Sequence, residues 1–466
     1  MKRTATGVKG RAMKKYDVIV VGAGDVGLGI AFKAVAGGLK TALIDKGNVG
    51  GTCVNYGCVP SKTLIYTADR IIEASENTKF GIRSEITDVD FRGVMERMRG
   101  VVTSGRNAIK EAIEGSENLD FINSGCHFID EQTLDAGGSK IRGKKIFIAS
   151  GARPSVPSIK GLDTVQYLTN ESVLELQERP ESVIFIGGGF IALEYAHFFS
   201  ALGTRVMILD RNMTLLRFEE PEISELLKKE MEKRIELHMG VETIEVRHAN
   251  NVYTVLVKDI STGREKEISA EVVMVSSGRR SNADLLKLEN AGIVTDKNNF
   301  IKVDEYLRAN RKHIWAVGDA IGRAMFTHAG DKEAELAWHN ATQRKKIRMD
   351  FESVPHAVYT YPQIASVGLT EQQAGKDREI LVGRALYSDT VMGEAMVERE
   401  AFAKAVVEKR TGRILGFHII GPHAAILIQE VVNAMENKGD MKSITGCMHI
   451  FPALSNIIPE AFSNLE

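Results

Sequence analysis

Residues 17–27 of this 466-residue chain read Asp-Val-Ile-Val-Val-Gly-Ala-Gly-Asp-Val-Gly. The first five form a short apolar run typical of a buried parallel strand, and a glycine turn follows that opens a helical pattern. The glycines of this turn are Gly22, Gly24 and Gly27. Such glycines let the backbone approach a pyrophosphate at the helix N-terminus, and an acid at the next strand end, here Asp45, accepts hydrogen bonds from ribose hydroxyls. The stretch predicts a dinucleotide-binding unit; a glycine-rich turn without a ligand is the alternative.

The same order of strand, glycine turn, helix and acidic strand end recurs later in the chain. A strand at 183–186 leads to Gly187 and Gly189, and the returning strand ends at Asp210. Two such units imply two dinucleotides. Asp210 favours a free 2′-hydroxyl and therefore NAD(H). The adjacent Arg211 either accommodates the 2′-phosphate of NADP(H) or is only a solvated surface charge.

Length and composition limit the functional classes. The chain is long enough for three or four domains, and 44% of its residues are hydrophobic and 26% charged. A net charge of −1 predicts no attraction to nucleic acid or to an anionic membrane, and no apolar run is long enough to span a bilayer. The basic start of the chain lacks the apolar segment of a signal peptide, and four cysteines do not make a secreted disulfide framework. We therefore expect a cytoplasmic protein.

Two cysteines lie five positions apart in residues 50–62, which read Gly-Gly-Thr-Cys-Val-Asn-Tyr-Gly-Cys-Val-Pro-Ser-Lys. Backbone N–H groups near a helix start favour the thiolate, so Cys53 and Cys58 are predicted to be redox-active. A zinc half-site would need two further ligands at close spacing, and the other cysteines, Cys126 and Cys447, are solitary. Two unrelated core cysteines are the remaining alternative.

Residues 50–62 closely resemble the active-site signature of the class I pyridine nucleotide–disulfide oxidoreductases. Within that family they are most similar to dihydrolipoamide dehydrogenase, glutathione reductase and mercuric reductase. Residues 150–154 resemble the A-T-G-x-x-P crossover of the family, residues 276–282 its G-R-x-P-N return, and residues 314–319 its second flavin motif. The resemblance implies an α/β fold with two Rossmann-like dinucleotide-binding domains, for FAD and NAD(P), and an α+β C-terminal dimerisation domain.

Domain boundaries follow from where these motifs lie. We expect a flexible N-terminal tail at 1–15, an FAD-binding domain at 16–152 that resumes as an FAD/central part at 279–350, an NAD(P)-binding domain at 153–278, and an interface (dimerisation) domain at 351–466. Residues 62–115 are predicted to be helical and residues 121–149 to form a β-meander. The last domain is predicted to hold antiparallel strands and a helix from His423 to about Lys438. A homodimer follows from the resemblance alone.

The resemblance also implies roles for individual residues. Electrons would pass from NAD(P)H through FAD to the Cys53–Cys58 disulfide and on to an acceptor, which Cys53 attacks while Cys58 adjoins the flavin. Lys62 matches a lysine near flavin N5 and Glu194 its carboxylate partner, although on position alone both are also compatible with surface charges. The residues implied for FAD are Gly22, Gly24, Gly27, Asp45, Gly51, Thr52, Lys62, Ser150, Gly151, Asp319 and Thr327. The residues implied for NAD(P) are Gly187, Gly189, Asp210, Arg211 and Gly278. Asp319 would bind the ribityl and phosphate part of FAD, cap the next helix, or do both.

The C-terminal region departs from the family pattern. Disulfide reductases of this group carry His-x-His-Pro and then a glutamate; the second histidine is the general acid/base and the glutamate orients it. Here Phe451 stands at the catalytic histidine and Asn456 at the glutamate. A positioned base contributes roughly 10²–10⁴-fold, so efficient turnover of lipoamide or glutathione disulfide is not expected. Cys447 and His449, two positions apart, are either substitute metal ligands or ordinary core residues.

Three functions remain open. The first is an FAD-dependent NAD(P)H:disulfide oxidoreductase, dihydrolipoamide-dehydrogenase-like, with an unidentified acceptor. The second is a mercuric or other metal-ion reductase, or a quinone reductase, on the same scaffold, since these acceptors need no proton from a base. The third is a catalytically idle FAD-binding partner or redox sensor, against which the intact cysteines and Lys62 argue. The expected partners are a small-molecule or metal-ion acceptor and a second copy of the chain, and no resident metal site is predicted.

Overall fold

The computed structural model describes residues 13–466. In chain order the strands are β1 (Lys14–Val21), β2 (Thr41–Asp45), β3 (Leu119–Asn123), β4 (Cys126–Phe128), β5 (Thr133–Ala136), β6 (Ser139–Ile148), β7 (Ala152–Pro154), β8 (Ser182–Ile186), β9 (Arg205–Asp210), β10 (Glu236–Met239), β11 (Val241–Ala249), β12 (Val252–Asp259), β13 (Glu265–Ala270), β14 (Val272–Val275), β15 (Arg279–Ser281), β16 (Ile314–Ala316), β17 (His356–Val358), β18 (Ile364–Gly368), β19 (Ile380–Leu386), β20 (Phe402–Glu408) and β21 (Ile414–Ile420). The α-helices are α1 (Asp25–Ala36), α2 (Gly51–Tyr56), α3 (Cys58–Glu76), α4 (Phe91–Glu114), α5 (Phe190–Ala201), α6 (Pro221–Met231), α7 (Thr327–Thr342), α8 (Glu371–Ala374), α9 (Val391–Ala395), α10 (Ala424–Glu436), α11 (Lys442–Thr445) and α12 (Ile457–Ser463).

The chain folds into two compact units. The first contains residues 13–58, 102–153 and 279–349, and the second contains residues 59–101, 154–278 and 350–466. Part of the segment that the sequence assigns to the FAD-binding domain, residues 59–101, therefore belongs to the second unit. It is tied there by Arg99, whose guanidinium donates to the Leu174 carbonyl at 3.1 Å.

The first unit is built on a seven-stranded sheet in the order β3-β2-β1-β6-β5-β4, with β16 also paired to β6. Strand β1 runs parallel to β2 and β6. Ile19, Leu43 and Phe147 in these strands are fully buried, because a parallel sheet is covered on both faces. The glycine turn between β1 and α1 consequently lies at the carboxyl edge of the sheet, where α/β proteins bind their ligands.

Two expectations for this unit need correction. The β-meander predicted over residues 121–149 is wrong for its first strand, because β3 pairs in parallel with β2, and only β4, β5 and β6 are antiparallel neighbours. Lys14 and Lys15, which the sequence alone places in a flexible tail, belong to β1 and pair with Ile141 and Arg142 of β6. The rest of that tail, residues 1–12, lies outside the described residues.

The second unit contains three sheets. A parallel sheet in the order β10-β9-β8-β14 holds the second glycine turn. Strands β11, β12 and β13, which lie between β10 and β14 in the sequence, form a separate antiparallel sheet. The third sheet, β17-β18-β21-β20-β19, is antiparallel, and helix α10 covers it through Leu427, Ile428 and Val431. These strands and α10 agree with the pattern read for residues 351–466.

A buried ionic cluster joins the parallel sheet region of the second unit to the antiparallel sheet. Lys404 of β20 is 1% exposed, and its ammonium lies 2.9 Å from Glu220, 3.1 Å from Glu222 and 2.5 Å from Glu371. A buried cation of this kind is tolerated only when it is paired, as it is here by three carboxylates. The segment preceding α6 is thereby fixed to the sheet.

Candidate active site

The two cysteines of residues 50–62 are brought together by a break between two helices. Gly50 and Gly51, both with positive φ, start α2, which carries Cys53, and α3 begins at Cys58 directly after Gly57. The structure holds both cysteines in the reduced form. A hydrogen bond with Cys58 and burial both raise the pKa of the Cys53 thiol, so the two sulfur-bearing side chains lie within hydrogen-bonding reach of each other. This proximity is what a redox-active pair requires.

Thr327 lies against the cysteine pair. Its hydroxyl is 3.4 Å from the Cys58 sulfur, and its hydrogen bond to Cys53 partly offsets the rise in the pKa of that thiol. Thr327 is also the first residue of α7. The positive end of a 16-residue helix favours a thiolate over a thiol, so this helix supports the negative charge of a reduced pair.

The first glycine turn forms a cradle with space for a dinucleotide. Gly22 has φ +109°, and a Cβ there would lie 2.1 Å from the Ala149 carbonyl oxygen. Gly24 caps the N-terminus of α1 next to Gly51, and Gly151, with φ +67°, faces open space. The Ser150 hydroxyl oxygen is buried and finds no hydrogen-bond partner within the part of the chain that the structure describes. An orphaned buried hydroxyl beside an open glycine turn fits the phosphate and ribityl oxygens of FAD.

Asp45 holds the shape of this cradle. Its carboxylate accepts hydrogen bonds from the Ala23 N–H at 2.7 Å and the Gly47 N–H at 2.8 Å. The carboxylate therefore orders both turns, and its remaining lone pairs are available to ribose hydroxyls. The sequence predicted only the second of these tasks.

Arg279 connects the segments predicted for the flavin, and the sequence analysis missed it. Its guanidinium donates to the Ala152 carbonyl at 2.7 Å, reaches the Thr52 hydroxyl at 3.5 Å and forms a 3.3 Å ion pair with Asp319. Burial raises the pKa of Asp319, and Arg279 counteracts this rise. The signal was available, because Arg279 follows Gly278 in the family's return motif.

The second glycine turn repeats this construction in the second unit. Gly187 has φ +104°, and a Cβ there would lie 2.7 Å from the Ser276 carbonyl oxygen, whereas Gly189 at the start of α5 faces open space. The buried Asp210 carboxylate accepts from the Gly188 N–H and from the Asn212 N–H, each at 2.9 Å. Arg211 is exposed. Gly278, with φ +108°, also faces open space.

Lys62 and Glu194 form a close ion pair within the second unit. The Lys62 ammonium lies 2.9 Å and 2.8 Å from the two carboxylate oxygens, and Glu194 is buried. The reading of both residues as surface charges is therefore wrong for Glu194. Tyr359, which the sequence did not indicate, completes the arrangement. Its N–H donates to Glu194 at 3.1 Å and its ring lies 4.5 Å from the Lys62 ammonium.

The C-terminal segment offers no proton carrier at the two altered positions. The Phe451 side chain is 74% exposed. Asn456 is engaged with its own backbone, accepting from the Ala453 N–H at 3.0 Å and donating to the Ile450 carbonyl at 3.1 Å. Neither side chain can take up a proton in the physiological range.

Cys447 and His449 are held by neighbours of their own. The Cys447 thiol is exposed and donates to the Ser443 carbonyl at 3.1 Å. The two ring nitrogens of His449 lie 2.9 Å from Glu430 and 3.1 Å from the Cys447 carbonyl. Both ring nitrogens of His449 are therefore engaged with neighbouring oxygen acceptors. Across residues 13–466, no group of three or more His, Cys, Asp or Glu side chains is arranged to hold a metal ion.

Comparisons with known proteins decide the family. The pyridine nucleotide-disulphide oxidoreductase family matches residues 16–343, and the dimerisation domain of that family matches residues 354–462. The chain belongs to this family. The family and the fold class predicted from the sequence are therefore confirmed, and this pyridine nucleotide–disulphide oxidoreductase uses FAD and NAD(P)H, as its relatives do. The match to the dimerisation domain supports a homodimer.

Named relatives act on different acceptors. Mercuric reductase of Staphylococcus aureus is 34% identical over 90% of this chain and 77% of its own length. Mycothione reductase of Mycobacterium tuberculosis is 32% identical over 97% of this chain and its full length. The chloroplastic dihydrolipoyl dehydrogenase 2 of Arabidopsis thaliana is 32% identical over 96% of this chain and 82% of its own length. The protein is accordingly an oxidoreductase.

A solved structure matches along nearly the whole chain. The Cu(II) complex of the HOCl-induced flavoprotein disulfide reductase RclA from Escherichia coli aligns with a TM-score of 0.87 at 26% identity, covering 97% of this chain and 99% of that one. Separately, no helix among residues 13–466 is both long and apolar enough to cross a membrane.

Proposed function

We propose that this protein is an FAD-dependent NAD(P)H oxidoreductase that delivers electrons through the Cys53–Cys58 pair to a soft, thiolate-binding metal ion. One observation carries the choice of acceptor. An intact, hydrogen-bonded cysteine pair is combined with an exposed Phe451 and a self-engaged Asn456 where the family's acid/base pair would stand. On this proposal the chain keeps both cysteines as sulfur ligands and carries no acid/base residue at positions 451 and 456.

The proton balance of the two reactions explains why this combination favours a metal ion. Reducing a disulfide with NAD(P)H consumes a proton and yields two thiols, so a leaving thiolate must be protonated by a nearby acid. Reducing one Hg(II) to Hg(0), or two Cu(II) to two Cu(I), uses the same two electrons and only releases the proton of NAD(P)H. Thiolates are the ligands that soft metal ions prefer.

The residues of this chain divide the work between them. When bound, FAD would accept a hydride from NAD(P)H and pass two electrons to the Cys53–Cys58 disulfide. The Gly22 turn, Ser150 and Asp319 would hold the FAD, and Lys62 with Glu194 would place a positive charge where negative charge develops. Cys53 would present the thiolate to the acceptor.

Two of the relatives support this acceptor class. Mercuric reductases are among the curated proteins at 33–34% identity, and the RclA structure is described as a Cu(II) complex. A small disulfide is the second candidate, favoured by the mycothione reductase relative that aligns over its full length. A cytoplasmic location stays a prediction from the cysteine content.

The test measures anaerobic NAD(P)H oxidation with Cu(II), Hg(II), a quinone, lipoamide and glutathione disulfide as separate acceptors. We expect turnover with the metal ions, loss of that turnover in Cys53→Ala, and retention in Cys126→Ser. Cys126 is a suitable control because it is a partly buried cysteine on β4 that does not belong to the Cys53–Cys58 pair. Faster turnover of a disulfide than of either metal ion contradicts the proposal, and so does metal reduction that survives Cys53→Ala.

The nicotinamide nucleotide is proposed to be NAD(H). Asp210 is buried at the end of β9 and orders the turn that would bind the ribose, so a 2′-phosphate there would meet a carboxylate. Comparing KM for NADH with that for NADPH tests this choice, and a clear NADPH preference would assign the binding of the phosphate to the exposed Arg211.

A further inference from the structure

The Lys62–Glu194 pair is backed by a second polar layer within the same unit. Asp69 lies seven residues after Lys62 on α3, two helical turns along the same face. His197 lies three residues after Glu194 on α5, also on the same face. His197 and Asp69 are hydrogen-bonded at 2.8 Å. This is a second contact between α3 and α5, and it lies further from the start of each helix than the Lys62–Glu194 contact.

Arg234, in the turn between α6 and β10, completes this layer. Its guanidinium donates to the His197 Nδ1 at 3.0 Å and to the Tyr361 carbonyl at 3.0 Å. Because a guanidinium only donates, His197 accepts at Nδ1 and carries its proton at Nε2, which donates to Asp69. His197 is 0% exposed, so this tautomer is enforced by two partners in a site that water does not reach.

The same three segments of the chain form both the Lys62–Glu194 site and the second polar layer. Helix α3 carries Lys62 and Asp69, helix α5 carries Glu194 and His197, and one loop carries Tyr359 and the Tyr361 carbonyl that Arg234 binds. Lys62 itself is a long, flexible side chain that is 37% exposed. Its ammonium can occupy a fixed place only if α3, α5 and this loop keep a fixed spacing.

We propose that Asp69, His197 and Arg234 form a positioning layer that sets the location of the Lys62 ammonium, and through it the ease with which the bound flavin is reduced. The proposal rests on the role given to Lys62 under the proposed function. Asp69, His197 and Arg234 are positioning residues, since they act through Lys62 and Glu194. A displacement of about 1 Å at a catalytic group is enough to cost roughly 100-fold in rate.

The experiment is a double-mutant cycle on the FAD-loaded protein. The variants are His197→Leu, Lys62→Met and the two combined. The readouts are the rate constant for flavin reduction by NAD(P)H in a single turnover and the midpoint potential of the bound flavin. We expect His197→Leu to slow flavin reduction by roughly ten- to 100-fold and to make the potential more negative. In the Lys62→Met background it should change neither quantity further.

Two further variants separate positioning from general stability. His197→Gln keeps one donor for Asp69 and one acceptor for Arg234, and we expect it to recover the wild-type potential. His418→Gln alters a histidine of equal burial on β21 whose Nε2 donates to the Leu369 carbonyl, and it should leave the flavin potential unchanged. If His197→Leu does not fold, Asp69→Ala serves in the same cycle, since Asp69 is 17% exposed and easier to replace.

The outcomes distinguish this inference from the proposed function. If His197→Leu acts equally with and without Lys62, the layer has only a structural role and the inference is overturned. If Lys62→Met slows reduction while His197→Leu does not, the inference fails and the role of Lys62 stands. If Lys62→Met has no effect, the proposed role of Lys62 fails and the inference fails with it.

Discussion

At the scale of single residues, Phe451 and Glu333 lead to predictions about disulfide turnover and about the pH dependence of stability. Phe451 stands where the family resemblance predicts a proton carrier, and its side chain cannot titrate. Glu333 of α7 does the reverse, placing a titratable carboxyl where water does not reach it. Its side chain is fully buried, one oxygen accepts from the Gly318 N–H at 2.5 Å, and the other has no partner among the described residues.

Restoring the acid/base pair should restore disulfide turnover. We expect Phe451→His combined with Asn456→Glu to raise kcat/KM for lipoamide or glutathione disulfide by roughly ten- to 100-fold, part of the 10²–10⁴ that a positioned base supplies. Turnover of Cu(II) or Hg(II) should change little, because that reaction consumes no proton. Steady-state assays of both acceptor classes check this, and the single variant Asn456→Glu, which adds a carboxylate but no base, is the control. An unchanged disulfide rate in the double variant would show that the lost base is not what limits this reaction.

Glu333 should make the protein less stable as the pH rises. Burial raises its pKa from 4.5 to about 8, and the nearby Asp319 adds to the rise. The folded state therefore binds the proton more tightly than the unfolded state. The resulting stability is complete below pH 4.5, is lost progressively as the pH rises towards 8, and amounts to about 5 kcal/mol at most.

Glu333→Gln tests this pH dependence, because glutamine keeps an acceptor for Gly318 and cannot ionise. The free energy of unfolding is measured by denaturant titration. The value for Glu333→Gln minus the value for the wild type should increase as the pH is raised from about 5.5 to about 8.5. Glu335→Gln, two residues along the same helix and exposed, should follow the wild type at every pH. A constant difference between Glu333→Gln and the wild type would mean that Glu333 titrates normally.

At the scale of elements, the two glycine turns use their glycines for different purposes. Gly22 and Gly187 have positive φ and touch a neighbouring backbone, so they are required by the fold. Gly189 has an ordinary φ of −73° and faces open space, so the fold alone does not require it. What it leaves open is the approach of a pyrophosphate to the N-terminus of α5.

Alanine substitutions should separate these purposes. Gly22→Ala should destabilise the protein by several kcal/mol, because its Cβ would meet the Ala149 oxygen at 2.1 Å. Gly189→Ala should change the free energy of unfolding by less than about 0.5 kcal/mol while raising KM for NAD(P)H roughly tenfold, equivalent to about 1.4 kcal/mol of binding. Gly100→Ala, on α4 in similarly open surroundings, is the control with unchanged KM. An unaltered KM in Gly189→Ala would place the nucleotide elsewhere.

At the scale of the whole molecule, one C-terminal segment carries three large apolar side chains that the rest of residues 13–466 leaves exposed. Met448 is 100% exposed, Ile450 80% and Phe451 74%. Several large apolar side chains left exposed within four residues are typical of a protein interface. It lies in the part of the chain that matches the family's dimerisation domain.

Placing a charge in this segment should weaken the homodimer. We expect Ile450→Glu to shift the protein from dimer towards monomer at micromolar concentration, because burying an unpaired carboxylate in an interface is costly. Sedimentation velocity measures the shift. Ile260→Glu, also an exposed isoleucine but in a turn between β12 and β13, should remain dimeric. A dimer that tolerates Ile450→Glu would exclude this segment from the interface.

The sequence by itself indicated the two glycine turns and the cysteine pair, and it predicted that Phe451 and Asn456 replace the family's acid/base pair. These depend on local patterns, namely a buried strand followed by glycines, and residue types at fixed spacing in a continuous stretch. The antiparallel strands and the helix near the C-terminus were predictable for the same reason.

Only the tertiary structure decided which distant side chains meet. Arg279, Tyr359 and His197 gained their roles from partners far away in the chain, and Lys404 became a buried cation although its strand position suggested nothing of the kind. The pairing of β3 with β2, and the place of residues 59–101 in the second unit, were decided in the same way. Local periodicity records which face of an element is apolar, whereas the choice of partner depends on three-dimensional packing that no short stretch encodes.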